Sequence, residues 1–180
     1  MITGKRKEKK MDDYAIVLDF SRVGDKYKCQ VVGTKYFALL EILCRQPVSL
    51  QEKVYIGKGI RDKVEKILRK IRYSELTSIA KDELENAILS IITERESEFV
   101  ELFNKAGPIS VRRHSLELLP GIGKKHLQDI LKEREKKPFS SLEEIKKRVK
   151  QMPNPAISLA KRILDEISGE CEDKYRLFVR

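Results

Sequence analysis

The residues best suited to chemistry lie in one short segment, Leu119-Pro-Gly-Ile-Gly-Lys-Lys125. Gly121 permits the positive φ of a turn too tight for a side chain, and Gly123 lets another backbone or a phosphate come close. Because a helical pattern of apolar residues follows, the next amides lie at a helix N-terminus, unpartnered and partly positive. The segment therefore predicts an anion site. Its residues are Gly121, Ile122, Gly123, Lys124 and Lys125.

This segment belongs to a weak internal repeat with a period of 33 residues, in which 116–123 aligns with 149–156. In the second copy Asn154 tolerates the left-handed conformation of its glycine counterpart. Pro155 removes an amide donor, however, and no lysine pair follows. We call residues 119–123 the first hairpin of this repeat and residues 153–156 the second. The second hairpin is therefore predicted to have a structural role and not to bind phosphate. Two basic residues beyond it could still attract an anion, Lys161 and Arg162.

The remaining reactive side chains do not predict a metal site or a disulfide framework. His114 and His126 are 12 residues apart with no cysteine nearby. The three cysteines, Cys29, Cys44 and Cys171, stand alone without a CxxC pair, which indicates a reducing compartment. We expect no metal and no cofactor.

The charge of the chain favours a polyanionic partner. Its 180 residues carry 38 Lys and Arg against 28 Asp and Glu, a formal net charge of +10. The excess is concentrated in residues 58–72 and 108–168, with an acidic stretch over 73–107 between them. No apolar run reaches membrane-spanning length. We therefore expect nucleic acid as the partner, with no membrane and no small-molecule substrate.

Two kinds of element must position these residues. From Tyr14 the period is two, and short strand candidates separated by turns predict a small barrel of oligonucleotide-binding type. Over Ile60–Ile71 the apolar residues recur at helical spacing, which predicts an amphipathic helix with a basic outer surface. Gly57-Lys58-Gly59 is interpreted as the turn before it. Lys58 in this turn and Arg61 at the start of the predicted helix are candidate phosphate contacts.

The fold class predicted is α+β with two domains. Residues 1–13 form a flexible basic arm, and 14–107 form the barrel with its amphipathic helices. Gly107-Pro108 is a helix stop signal that marks the boundary. Residues 108–168 form an all-α domain of paired helices, and 169–180 form a C-terminal tail.

Parts of this sequence resemble known protein families. The stretch 119–127 resembles a helix-hairpin-helix motif, and 116–167 resembles the tandem form of DNA uptake and repair proteins. That resemblance implies that the hairpin amides hold phosphates without reading bases. Leu127 stands where the family has a small residue. The chain from Tyr14 to Ile167 is also similar to an uncharacterised archaeal family with an OB-like barrel before a tandem helix-hairpin-helix, which implies a cytoplasmic location.

The function predicted is non-enzymatic, largely sequence-independent binding of a nucleic-acid backbone, DNA or structured RNA. One alternative is a protein–protein docking module on a translation, transcription or repair assembly. A second is a DNA lyase or glycosylase, because some base-excision glycosylases carry a similar hairpin whose lysine, Lys125 here by position, forms a Schiff base. The sequence lacks the downstream aspartate context and the four-cysteine cluster of those enzymes, so no catalytic residue is predicted.

Overall fold

The structure, a computed structural model, describes residues 9–180 and contains a curled five-stranded antiparallel sheet and five α-helices. The predicted basic arm falls mainly on residues 1–8, which lie outside the described residues. The sheet strands are β1 Tyr14–Val23, β2 Lys26–Gly33, β3 Leu39–Cys44, β4 Lys53–Tyr55 and β5 Val64–Lys70. The helices are α1 Ser78–Glu94, α2 Glu96–Lys105, α3 Lys124–Lys136, α4 Leu142–Arg148 and α5 Pro155–Ser168. A two-stranded ribbon, β6 Pro108–Ser110 and β7 Arg113–His114, precedes α3.

The chain forms two compact units that divide within α1. The first unit ends at Lys81 and also takes in Phe178–Arg180, and the second covers Asp82–Leu177. This division comes earlier in the chain than the boundary predicted at Gly107. It also gives the last three residues to the first unit.

The first unit is built on the sheet, whose strand order is β4-β1-β2-β3-β5 with every neighbouring pair antiparallel. Its inner face carries branched apolar residues and two thiols at alternate positions, as a half-buried strand requires. Cys29 and Cys44 are buried there with their Sγ atoms 3.8 Å apart. The core residues are Ala15, Val17, Cys29, Val31, Ile42, Cys44, Val48, Val54, Ile56 and Val64.

The basic helix predicted over Ile60–Ile71 is wrong, because this stretch is a loop followed by strand β5. Val64 is buried and Ile67 packs on the same core, three residues apart, because the pairing of β5 with β3 is irregular between these positions. Such irregularities interrupt the period of two. The resulting spacing of apolar residues imitates that of a helix. Ile60, the first residue of the supposed apolar face, is fully exposed.

The segment after β5 crosses back to the sheet and fixes the start of α1. The Gln30 side chain donates to the Glu75 carbonyl at 3.0 Å and accepts from the Thr77 amide at 2.9 Å. The Thr77 hydroxyl donates to Asp19 Oδ2 at 2.6 Å and accepts from the Ala80 amide at 3.0 Å. Thr77 therefore caps α1 and ties it to β1.

Side-chain caps also hold the helices of the second unit in place. Ser141 Oγ accepts from the Glu144 amide at 3.0 Å and so caps the start of α4. Phe139 is buried between elements, and its amide and carbonyl both bond to the side chain of Asn104. The guanidinium of Arg148 lies 4.5 Å from the centroid of the Phe139 ring. None of the helices within residues 9–180 is both long and apolar enough to cross a membrane.

Candidate nucleic-acid interface

The predicted anion segment forms a tight loop between a 3-10 helix, Ser115–Leu118, and α3. The Ile122 amide closes the turn by donating to the Leu119 carbonyl at 3.1 Å, and the Ile122 side chain is buried. Gly121 has φ +84°, and a Cβ there would lie 3.3 Å from Pro153 Cγ. The fold therefore requires glycine at position 121, because any other residue would be strained and crowded.

Gly123 differs from Gly121 in both respects. Its φ of −93° and ψ of −174° are extended backbone open to any residue, and a Cβ would meet nothing within 4 Å. Gly123 is also the N-cap of α3, a position where Ser, Asp or Asn would satisfy an amide of the first turn. The fold does not require this glycine, and its absent side chain leaves the helix end open.

The amides around Gly123 divide into occupied and open groups. The Gly123 amide donates to His126 Nδ1 at 3.4 Å, and the Ile122 amide is used in the turn. The amides of Lys124 and Lys125 have no partner among residues 9–180. These two donors point out of a helix N-terminus and carry the partial positive charge of the helix dipole.

Lys124 and Lys125 add two full positive charges at the N-terminus of α3, where positive charge destabilises a helix. Lys124 and Lys125 are exposed in the first turn of α3, and that turn contains no acidic residue. Cations near a helix N-terminus oppose the helix dipole, at about 0.3–1 kcal/mol each for exposed groups. Local stability would favour Asp or Glu here. An open N-cap followed by two lysines is arranged to meet an external anion instead.

The second hairpin is closed by its own side chain. Asn154 Oδ1 accepts from the Ala156 amide at 3.0 Å and from the Ile157 amide at 3.4 Å, so the N-terminus of α5 is capped. Gln151 takes a positive φ of 54° in the preceding turn, and its carbonyl lies 3.0 Å from His126 Nε2. Through its two ring nitrogens, His126 connects the two hairpins. The expected structural role of the second hairpin agrees with this geometry.

Arg162 is not available as a phosphate contact, contrary to the sequence-based expectation. Its side chain is buried, with Nε 3.0 Å from Glu166 Oε1 and Nη1 2.8 Å from Asp173 Oδ2. Arg162 Nη2 also donates to the Tyr175 carbonyl at 2.9 Å. The hydrogen bond from Arg162 lowers the pKa of Asp173 to about 2. Arg162 thus holds the segment after α5 in place. Lys161, by contrast, is exposed and remains a candidate phosphate contact.

The two candidates in the first unit also differ from each other. Arg61 donates from Nε to the Gly57 carbonyl at 2.8 Å and from Nη2 to the Ile56 carbonyl at 3.0 Å, so it organises its own loop. Lys58 is exposed at a cavity of about 410 Å³ that Lys9 and Tyr55 also line. Of the pair, only Lys58 presents an uncommitted charge to solvent.

Tyrosine rings with lysines beside them lie on the surface of the same unit. Lys53 Nζ lies 5.1 Å from the centroid of the Tyr14 ring, and Lys35 Nζ lies 5.4 Å from that of Tyr36. Tyr14 is 44% exposed and packs edge-on against Tyr55, with centroids 5.3 Å apart. The sequence marks Tyr14, Tyr36 and Tyr55 as aromatic residues of the predicted barrel, whose rings could stack on bases, but it does not show which of them are exposed.

No cluster of three or more His, Cys, Asp or Glu residues suited to a metal ion occurs in the part of the chain that the structure describes. His114 serves a structural purpose: its Nδ1 accepts from the Leu116 amide at 3.1 Å, and its own amide donates to Glu117 Oε2 at 2.7 Å. Burial, and next the charge of Arg134, lower the pKa of His114, which keeps it neutral and able to accept.

Comparison with known proteins places this sheet and helix arrangement in an established family without an assigned function. The chain belongs to the family described as "Protein of unknown function (DUF655)", whose model matches residues 11–180. It is 40% identical over 183 residues to the uncharacterized protein MJ0038 of Methanocaldococcus jannaschii, covering 98% of this chain and 83% of that protein. It is 42% identical to Af1531 of Archaeoglobus fulgidus, whose crystal structure superposes with a TM-score of 0.86 over 94% of this chain and 100% of that one. These relatives confirm the resemblance to an uncharacterised family with archaeal members.

Proposed function

We propose that this protein is a non-enzymatic binder of nucleic-acid backbones, and that the loop before α3 acts as a helix-hairpin-helix phosphate site. The observation that carries the proposal is the combination at Gly123. A glycine that the fold does not need leaves the N-cap of α3 empty, and two open amides and two exposed lysines follow directly. Each part lowers the local stability of the helix, and each part favours an anion.

A polymeric anion fits this site better than a free one. The site is an exposed surface loop and not an enclosed pocket, so it can reach a backbone that passes over it. The net charge of +10 adds a long-range attraction for a polyanion. Backbone amides and lysines contact phosphate oxygens and no base edges, so binding is expected to depend on salt and not on sequence.

Each unit contributes contacts to this proposal. The second unit supplies Lys124, Lys125 and Lys161, all exposed. The first supplies Lys58, with a surface of tyrosines flanked by lysines at Tyr14 and Tyr36. Such rings can stack on unpaired bases in a way that tolerates any sequence. In this proposal the first unit is the secondary contact and the hairpin is the primary one.

The test is charge reversal of the lysine pair, Lys124→Glu with Lys125→Glu. Losing two charge-assisted contacts of about 1.5 kcal/mol each lowers duplex affinity by about 100-fold at low salt. The slope of log affinity against log salt becomes shallower by about 2. Because glutamates suit a helix N-terminus, the double variant is also expected to unfold at a higher temperature than the wild type.

The matched control reverses another adjacent lysine pair, Lys146→Glu with Lys147→Glu, which is exposed on α4. It produces the same change in net charge away from the open helix end. Gel shifts and fluorescence anisotropy with double-stranded and single-stranded DNA and RNA measure both variants. Equal losses in the two variants would reduce the effect to net charge and contradict the assignment of the hairpin. Failure of the wild type to bind any of these nucleic acids would contradict the function itself.

A further inference from the structure

The ribbon of β6 and β7 has an unusual tip. Ser110 pairs with Arg113, so the tip consists of only two residues, Val111 and Arg112. Two-residue hairpins favour Asn-Gly or Asp-Gly pairs, and a β-branched residue is a poor choice for a tight turn. Neither residue takes a positive φ, so no primed turn has formed here. Turn chemistry therefore gives no reason for a valine at this position.

Packing gives no reason for Val111 either. Its side chain is fully exposed, although valine is a residue that burial stabilises. Arg112 and Arg113, which follow Val111 in the chain, are exposed as well. An apolar side chain at the tip of a narrow ribbon, followed by two guanidinium groups, contradicts the local preferences of both the turn and the surface. Such contradictions concentrate at functional sites.

The base of the ribbon is firmly held, so the tip is presented in a fixed direction. The Ser115 amide and hydroxyl both donate to the Gly107 carbonyl, at 3.1 and 2.7 Å. Arg134 Nη1 donates to the Ala106 carbonyl at 2.8 Å, just before β6. On the other side, buried His114 ends β7 and caps the 3-10 helix that leads into the hairpin.

The ribbon also lies beside the proposed phosphate site. Arg113 lines one cavity of about 520 Å³ together with Pro120, the residue before Gly121, and with Lys161. Four carboxylates line the same cavity, those of Asp165, Glu170, Glu172 and Asp173. The cavity places a ribbon arginine next to the first turn of the hairpin and next to another exposed lysine. The chain also runs from β7 through the 3-10 helix Ser115–Leu118 directly into the hairpin.

We propose that the β6–β7 tip is a wedge that enters the minor groove of a duplex held by the hairpin, with Val111 against a base step and Arg112 on a flanking phosphate. This inference rests on the proposed function. It specifies the ligand as a duplex, one base step of which loses its stacking when the protein binds. Proteins of the minor groove commonly insert an apolar side chain between base steps and partly unstack them. The two-residue tip presents one exposed apolar side chain, that of Val111, and the charged Arg112 follows it directly in the chain.

The test uses the full chain and short DNA duplexes that carry 2-aminopurine, whose fluorescence rises when its stacking is lost. Saturating wild-type protein is expected to raise the fluorescence several-fold. Val111→Ser removes the apolar group, and the rise is expected to fall to less than half while affinity drops by about 10-fold. Val111→Phe is expected to restore or exceed the wild-type rise. Because Val111 contacts nothing in the fold, these variants should unfold at the wild-type temperature.

Ile60→Ser is the matched control, since Ile60 is equally exposed but lies in a loop of the first unit. It should leave both fluorescence and affinity unchanged. Duplex binding by the wild type without a fluorescence rise, or an unchanged rise with Val111→Ser, would overturn the wedge and leave the phosphate site standing. Absence of duplex binding would overturn the wedge alone, and absence of binding to every single- and double-stranded DNA and RNA tested would overturn both proposals. Duplex affinity that Lys124→Glu with Lys125→Glu lowers, but that Val111→Ser leaves unchanged, would likewise overturn the wedge and leave the phosphate site standing.

Discussion

The substitution Gly123→Asp separates helix stability from ligand binding most sharply. The new side chain has open space, and the backbone at Gly123 already has an extended conformation that aspartate adopts without strain. Its carboxylate can accept from the Lys125 amide as an N-cap. Relative to glycine, the cap contributes a few tenths of a kcal/mol and the helix dipole about 0.3–1 kcal/mol. We therefore expect the variant to be about 0.5–1 kcal/mol more stable, which raises the Tm by about 1–4 °C.

The same substitution should weaken binding. The carboxylate occupies an amide that the phosphate needs and repels the phosphate charge. A hydrogen bond to a charged group is worth about 1.5–3 kcal/mol, which corresponds to a 10- to 100-fold loss of affinity. Fluorescence anisotropy with a labelled duplex over about 50–200 mM salt measures this loss, and calorimetry measures the Tm.

Two further variants isolate the cause. Gly123→Asn caps the helix without adding a charge, so it should stabilise the protein less and weaken binding less than Gly123→Asp. Ile79→Asp adds the same charge in the first turn of another helix, α1, at a half-exposed position, and it should leave affinity nearly unchanged. A Gly123→Asp variant that is more stable yet binds like the wild type would refute the reasoning, because the open amides would then have no role in binding.

Two other predictions concern the stability of the second unit and its pH dependence. Asp173→Asn leaves the buried Arg162 with one fewer carboxylate, which should cost about 3 kcal/mol in urea unfolding at pH 7. The pKa of Asp173 is lowered to about 2, so the wild type should lose this stability as the pH falls from about 3.9 towards 2, and the variant should not. His114 has a lowered pKa, so unfolding free energy should fall as the pH drops below about 6.5, where the unfolded histidine takes up a proton. His114→Asn, which keeps an acceptor at the cap, should remove that slope between pH 5 and 8. An unchanged pH profile in either variant would contradict its assigned contact.

The sequence predicts short strands from Tyr14 onward, and the structure has β1 to β4 there, because alternation of apolar residues is a local signal. It fails at β5, because irregular pairing with β3 spaces Val64, Ile67 and Ile71 as a helix would. Nothing in the sequence of β5 alone reveals the irregularity, since that depends on the register against another strand.

The same limit applies to the candidate site. Gly121, Gly123 and the lysine pair could be predicted, because a turn and a helix start are encoded by neighbouring residues. The burial of Arg162 could not, since its partners include Asp173, which the chain brings back only after α5 has ended. The sequence also gave no indication that the amide of Gly123 is occupied by His126, a contact that depends on the rotamer of the histidine.

The central claim is that the free amides at the start of α3 bind backbone phosphate. Amide chemical shifts of the uniformly ¹⁵N-labelled protein, followed as a short DNA duplex is added, test this claim most directly. We predict that the largest shift changes occur at the amides of Lys124 and Lys125, while those of Ala156 and Ile157, already bonded to Asn154, change little. Duplex binding with the largest changes elsewhere and no change at Lys124 and Lys125 would contradict the account.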